Sequence, residues 1–153
     1  MIGQKLDVVV LLDSDQAGDA AHDALVKKWL TRYNGKENQV LSLGRAVGVS
    51  GEFSIEDLFP EDFYLRRAKQ VYAKALATAG DLKLQPGTQL CKRVERAFAD
   101  LGLPFNKGSV SKVLRADLSR MKNVSELPAG MQKTVATVIG ALQESFEALG
   151  PAA

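Results

Sequence analysis

The sequence predicts an α/β fold: a short parallel sheet of two or three strands with helices packed on it, followed by a mostly helical C-terminal half. Three observations lead there. Val8-Val9-Val10-Leu11-Leu12 is an unbroken apolar run rich in β-branched residues, the pattern of a strand buried on both faces of a parallel sheet. A helix-period stretch and a second short apolar segment follow it, making one βαβ unit whose crossover should be right-handed. Beyond Pro60, apolar residues recur at spacings of three and four, as on helices that bury one face.

The elements are justified in chain order. Asp7–Asp13 reads as the first strand. Gln16–Asn34 reads as a helix with Ala20, Ala24, Leu25, Val26, Trp29 and Leu30 as its apolar stripe and Asn34-Gly35 as its stop. Gln39–Leu43 reads as the second strand, and Gly44–Gly51, with three glycines, as a loop. Ser54 with Asp57 three residues on resembles a capping box. Pro60 suits a first helical turn, and Glu61 and Asp62 suit its dipole; that helix should run to about Ala79 and stop at Gly80. Three further helices are expected over 88–101, 108–121 and 129–149. Their faces are Leu90, Val94, Phe98 and Leu101; Val110, Val113, Leu114, Leu118 and Met121; and Met131, Val135, Val138, Ile139, Leu142, Phe146 and Leu149. The expected division is a βαβ region, residues 1–59, and a helical region with a basic face, residues 60–153.

Composition narrows the function classes. At 46% hydrophobic and 25% charged, the chain is an ordinary globular protein rather than a disordered one. The longest apolar run, five residues, is too short to span a membrane, and Asp7 interrupts any signal-peptide pattern. Cys91 is the sole cysteine and His22 the sole histidine, which excludes an internal disulfide and a Cys/His metal cluster. A reducing, cytoplasmic setting is the expectation. Charge is uneven. Residues 1–59 hold six Lys/Arg against nine Asp/Glu, 60–122 hold thirteen against six, and 123–153 hold one against three. An acidic N-terminal third beside a basic middle suits a metal site next to a polyanion surface, and equally suits helices solvated by lysine and arginine.

The chemistry-bearing pattern is Asp13-Ser14-Asp15 at the end of the first strand. Side chains two apart share one side of an extended segment, and ligand sites form at the carboxyl ends of parallel strands. Two carboxylates so close repel unless a cation lies between them. Mg²⁺ favours such oxygen ligands, and Asp19, one turn on, could join them. The other reading is structural: Asp15 as N-cap of the helix and Asp13 as a turn cap. His22 reads as an exposed or partly packed helix residue, and Trp29, Tyr33, Phe63, Tyr64 and Tyr72 as core. No phosphate loop or dinucleotide fingerprint is present.

The stretch "VVVLLDSDQAGDAA" resembles the Asp-x-Asp strand of the Toprim domain. "SIEDLFPEDFY", 54–64, and "PFNKGSVSKVL", 104–114, resemble the second acidic segment and the lysine-bearing segment of the OLD-family (overcoming lysogenization defect) endonucleases, whose Toprim region follows an ATPase. The resemblance implies a partial Toprim-like sheet and metal-dependent hydrolysis of DNA phosphodiesters with Mg²⁺ or Mn²⁺. It implies Asp13 and Asp15 as metal ligands and catalytic residues, Glu56 and Asp57 as ligands of a second metal, and Lys107 as the catalytic or phosphate-contacting lysine, with Lys112 as its substitute. Ser14 would contact a metal-bound water. In such a scheme one ion prepares the attacking water and the other stabilises the leaving oxygen, about 4 Å apart. Acidic groups from the two stretches are therefore expected to converge on a shared site.

The family's essential glutamate precedes the Asp-x-Asp strand, and no Glu occurs here before Glu37. The chain is therefore expected to match a later piece of the domain, which weighs against activity in isolation. DNA contacts are expected from Lys92, Arg93 and Arg96 on one helix and from Lys112, Arg115 and Arg120 on the next, through phosphates and without sequence preference. Two alternatives stand beside this: a non-catalytic module docking on an upstream ATPase/Toprim polypeptide, and a Toprim-like primase or topoisomerase piece. An unpaired sheet edge would favour self-association.

Overall fold

The computed structural model describes residues 8–30, 32 and 39–149. They group into two units, one containing the described residues up to Ser54 and those from Thr134 onward, the other Ile55–Lys133. The expected boundary after residue 59 thus falls at 54/55, and the C-terminal residues group with the N-terminal ones. Asp7, Tyr33 and the Asn34-Gly35 stop lie outside the described residues.

The first unit holds the βαβ element. Strand β1 (Val10–Leu12) pairs in parallel with β2 (Val40–Ser42), Val10 opposite Val40 and Leu12 opposite Ser42. The strands are shorter than the apolar runs because the ladder is only as long as both partners allow. Ahead of it, the buried Gln39 side chain donates its amide to the Val8 carbonyl at 3.0 Å. The expectation of a strand buried on both faces is corrected: Val10, Leu11 and Leu12 are half-buried and Val8 is exposed. Among the described residues the sheet has two strands, too few to enclose β1.

Helix α1 (Gln16–Ala24) continues into a π-helical segment, Leu25–Leu30, that buries Leu30. The loop expected at Gly44 is instead a short helix, α2 (Leu43–Ala46), which buries Leu43 and Gly44. Gly44 fits there because it has no Cβ; one would come within 2.8 Å of Ser14 Oγ. The turn begins afterwards, where Gly48 and Gly51 take φ of 72° and 98°, values that favour glycine.

The second unit opens with a 3₁₀ turn, Ile55–Leu58, directly after Ser54. Pro60 precedes helix α3 (Glu61–Val71), whose first turn carries Glu61 and Asp62. The helix expected to reach Ala79 breaks at Tyr72 and resumes as α4 (Ala73–Ala79), ended by Gly80 at φ 105°. No glycine or proline causes the break. Tyr72 is instead held by tertiary contacts, its ring centroid 4.6 Å from that of Phe98 and 5.9 Å from that of Phe105. Its hydroxyl accepts from the Asn106 N–H.

Helices α5 (Leu90–Asp100) and α6 (Lys107–Leu118) complete the core, in which Phe63, Tyr64, Ala68, Leu90, Val94, Phe98, Val110 and Leu114 pack together. Burial of each large side chain here is worth about 1.5–3 kcal/mol. Arg67 pairs with Asp117 at 2.7 Å, and its guanidinium lies 4.0 Å above the Phe63 ring.

Helix α7 (Ala129–Glu147) follows a 3₁₀ turn at Val124–Glu126. Its buried line is Met131, Val138 and Ser145, spaced by seven. Ile139 and Phe146, assigned to the buried face, each follow a residue of that line. They sit about 100° further round the helix and are exposed, at 48% and 47%.

Candidate functional site

In the first unit the Asp13-Ser14-Asp15 loop is built around Ser14. The Ser14 backbone exchanges two 2.7 Å hydrogen bonds with Phe53. Its hydroxyl accepts from the Gly44 N–H at 2.7 Å and makes a short hydrogen bond with the Ser42 hydroxyl. Ser14 therefore ties β1, β2, α2 and the 53 segment together. Asp15 is the N-cap of α1: its Oδ1 accepts from the Gly18 N–H at 2.8 Å. Capping uses one of its two oxygens. Gly18, which sequence reasoning passed over, lets the first turn approach the loop. A Cβ there would stand 2.9 Å from the Asp13 carbonyl carbon and closer still to its oxygen. The signal was available in the spacing Asp15-x-x-Gly18.

This loop borders an open cleft of about 520 Å³ lined by Asp15, Asp19, Arg45, Gly51 and Glu52 among others. Asp13 is half-buried beside it in sequence. His22, half-buried as expected, lies 3.8 Å from the Asp23 carboxylate through Nδ1.

In the second unit the structure brings together Glu56 and Lys107. Glu56 is 2% exposed, and its Oε1 receives the Lys107 ammonium at 3.0 Å. Among the described residues its Oε2 is buried without a hydrogen-bond partner, and the buried Tyr64 hydroxyl lies beside the Cys91 thiol. Burial pushes the Tyr64 phenol well above the usual tyrosine range, with Cys91, Glu56 and Asp57 adding to the effect. Burial, then the Glu56 carboxylate, also raises the Cys91 thiol. Tyr64 and Cys91 carried no mark in the sequence as neighbours of this acidic segment.

Asp57 points to a different task. Its Oδ1 accepts from the Leu90 N–H at 2.7 Å, capping α5, whose own N-cap residue Gln89 makes no side-chain cap. Of the two acidic residues, Glu56 is the one with a buried oxygen that lacks a hydrogen-bond partner among the described residues. Lys107 is half-exposed at the start of α6, where the Asn106 side chain accepts from the Ser109 N–H.

Asp13 and Asp15 belong to the first unit and Glu56, Asp57 and Lys107 to the second, so each set stands in its own unit. Among the described residues, no group of three or more His, Cys, Asp or Glu is arranged to hold a metal ion. Mg²⁺ commonly takes only one or two carboxylates and fills its shell with water; Asp15, whose second carboxylate oxygen is not used in capping and which lines the open cleft, has the donor chemistry for such a site.

Of the residues assigned to DNA, Lys92, Arg96, Lys112 and Arg115 are exposed. Arg93 is tucked in: it donates to Glu61 at 2.8 Å and to the Gln85 carbonyl at 2.9 Å. Its place is a clip between α3, the 81–89 segment and α5. Arg120 lies 3.8 Å from Asp117 and is exposed. No helix among the described residues is long and apolar enough to cross a membrane. Comparison with protein-family models, curated proteins and solved structures returned no match.

Proposed function

We propose that the chain is a metal-dependent phosphodiesterase part of the OLD-family Toprim type, acting on DNA in the cytoplasm. The observation that carries the reading is the Glu56–Lys107 pair. Two segments 51 residues apart, each singled out as site-bearing, meet through a buried carboxylate and a half-exposed ammonium. Glu56 positions Lys107, whose ammonium would oppose the negative charge that builds on a phosphate during displacement. Asp13 and Asp15 are the proposed metal ligands of the first unit, with Glu56 the ligand of the second and Asp57 a positioning residue. A bound divalent ion would supply Lewis-acid stabilisation and a more acidic water. Lys92, Arg96, Lys112 and Arg115 would add phosphate contacts.

The test is duplex DNA binding in Ca²⁺, which permits binding without turnover. Affinity should rise with Ca²⁺ and fall in Lys107→Gln. Equal affinity in Ca²⁺ and in chelator, or in both proteins, contradicts the reading.

A second reading has its own support. Asp15 and Asp57 both serve as helix caps, as expected of a non-catalytic interaction module docking on an ATPase/Toprim polypeptide. That reading gives the carboxylates no cation to bind.

A further inference from the structure

The first unit contains a cleft of about 640 Å³, lined by His22, Val40, Arg45, Ala46, Ala141 and Glu144 among others. Its size is that of a small-molecule site. The wall takes in β2 and α2, which follows the carboxyl end of that strand, the position where ligands bind beside parallel strands. Val40, Ala46 and Ala141 give it an apolar lining, each buried or half-buried. Ala141 and Glu144, three residues apart on α7, share one helix face. His22, in the last turn of α1, is half-buried.

Arg45 and Glu144 bring opposite charges to this one cleft from two elements, and both are exposed. Neither side chain has an ion-pair partner among the described residues, so the two charges face the same space without meeting. Such a site asks for a ligand that carries both signs. A guanidinium matches a carboxylate with its rigid fork of donors. A carboxylate matches an ammonium, which donates three N–H bonds. A polyanion would meet Glu144 with like charge, and a simple cation would meet Arg45. A free amino acid fills only part of this volume. A dipeptide spans more of it, and its amide offers the His22 ring a hydrogen-bonding partner.

We infer that this cleft binds a dipeptide-sized zwitterion, with its carboxylate on Arg45, its ammonium toward Glu144 and its apolar side chains against Val40, Ala46 and Ala141. The inference does not use the phosphodiesterase reading, in which neither charged residue has a role.

The experiment is an NMR titration of the full chain with L-alanyl-L-leucine, its N-acetyl derivative and its C-terminal amide, on wild type, Arg45→Gln and Glu144→Gln. Both replaced side chains are exposed, so the variants should keep the wild-type spectrum outside the cleft. A ligand of this size should bind wild type at about millimolar affinity, with saturable shifts at the amides of His22, Ala46 and Ala141. Each substitution should weaken the dipeptide about tenfold, the worth of one charge-assisted hydrogen bond. N-acetylation should cost wild type about tenfold and Glu144→Gln nothing further. Amidation should cost wild type about tenfold and Arg45→Gln nothing further. Wild type without saturable shifts at these amides overturns the inference. So does equal affinity of wild type for the dipeptide and both derivatives, or an acetylation penalty undiminished in Glu144→Gln.

Discussion

Lys107→Met, Glu56→Gln and their combination form a double-mutant cycle on the pair that supports the functional reading. The Glu56 side chain is 3% exposed and that of Lys107 48%. Removing one partner of a fully buried pair costs about 3–5 kcal/mol, while an exposed pair is worth roughly 0.2–1 kcal/mol. With one end buried and the other half in water, Lys107→Met should cost about 1–3 kcal/mol, between those limits. Methionine keeps much of the apolar stem, so the loss reports the ammonium. Glu56→Gln should cost about 1–2 kcal/mol through its weakened hydrogen bonding in a buried setting. Once Glu56 is neutral, losing Lys107 no longer strands a charge. The double variant should therefore be more stable than additivity implies, by about 1–2 kcal/mol. Urea unfolding of the four proteins gives the coupling directly. Strict additivity, or a Lys107→Met cost near zero, would show that Glu56 does not depend on this ammonium.

Three further outcomes are expected. Gly18→Ala should destabilise by about 1–3 kcal/mol, the usual cost of overpacking, although alanine alone would favour a helix by roughly 1 kcal/mol. A raised melting temperature would contradict the close approach of Gly18 to the Asp13 carbonyl. Tyr64→Phe should change stability by no more than about 1 kcal/mol, because the buried hydroxyl has only the Cys91 thiol, a weak hydrogen-bonding group, beside it. The same group sets an alkaline limit. Tyr64 and Cys91 have raised pKa values in the folded state, so the unfolded chain releases their protons first. Stability should hold below roughly pH 8.5, the ordinary thiol value, and fall as pH rises past it and past about 10. Urea midpoints against pH should show this decline, and Tyr64→Phe should flatten its upper part; an unchanged upper part would contradict the assignment.

Much of the fold was legible because its signals are local. The Val8–Leu12 run, Pro60, Gly80 and the periodic faces of α5 and α6 each announce an element through period or backbone restriction. What was illegible depends on partners distant in sequence. Nothing near Tyr72 says that Phe98 and Phe105 will hold its ring and interrupt a helix. Ile139 and Phe146 look like core by hydropathy, but the buried line of α7 passes one residue before each. At the candidate site, Asp15 could be read both as a cap and as a ligand, and its cap geometry is now visible. By spacing, Asp57 beside Ser54 resembles a local capping box, whereas its carboxylate reaches an N–H 33 residues away. The pairing of Glu56 with Lys107 could be expected only from the resemblance, since no spacing rule joins residues so far apart.

The most direct measurement is Mn²⁺ binding followed by electron paramagnetic resonance on wild type, Asp13→Asn, Asp15→Asn and Glu56→Gln. The free-ion signal should fall saturably with wild type. The aspartate variants should weaken binding at least tenfold, and Glu56→Gln should remove a second class of site. Undiminished Mn²⁺ affinity in all three variants would leave Asp15 as a helix cap and Glu56 as the anchor of Lys107, and the phosphodiesterase reading would be lost.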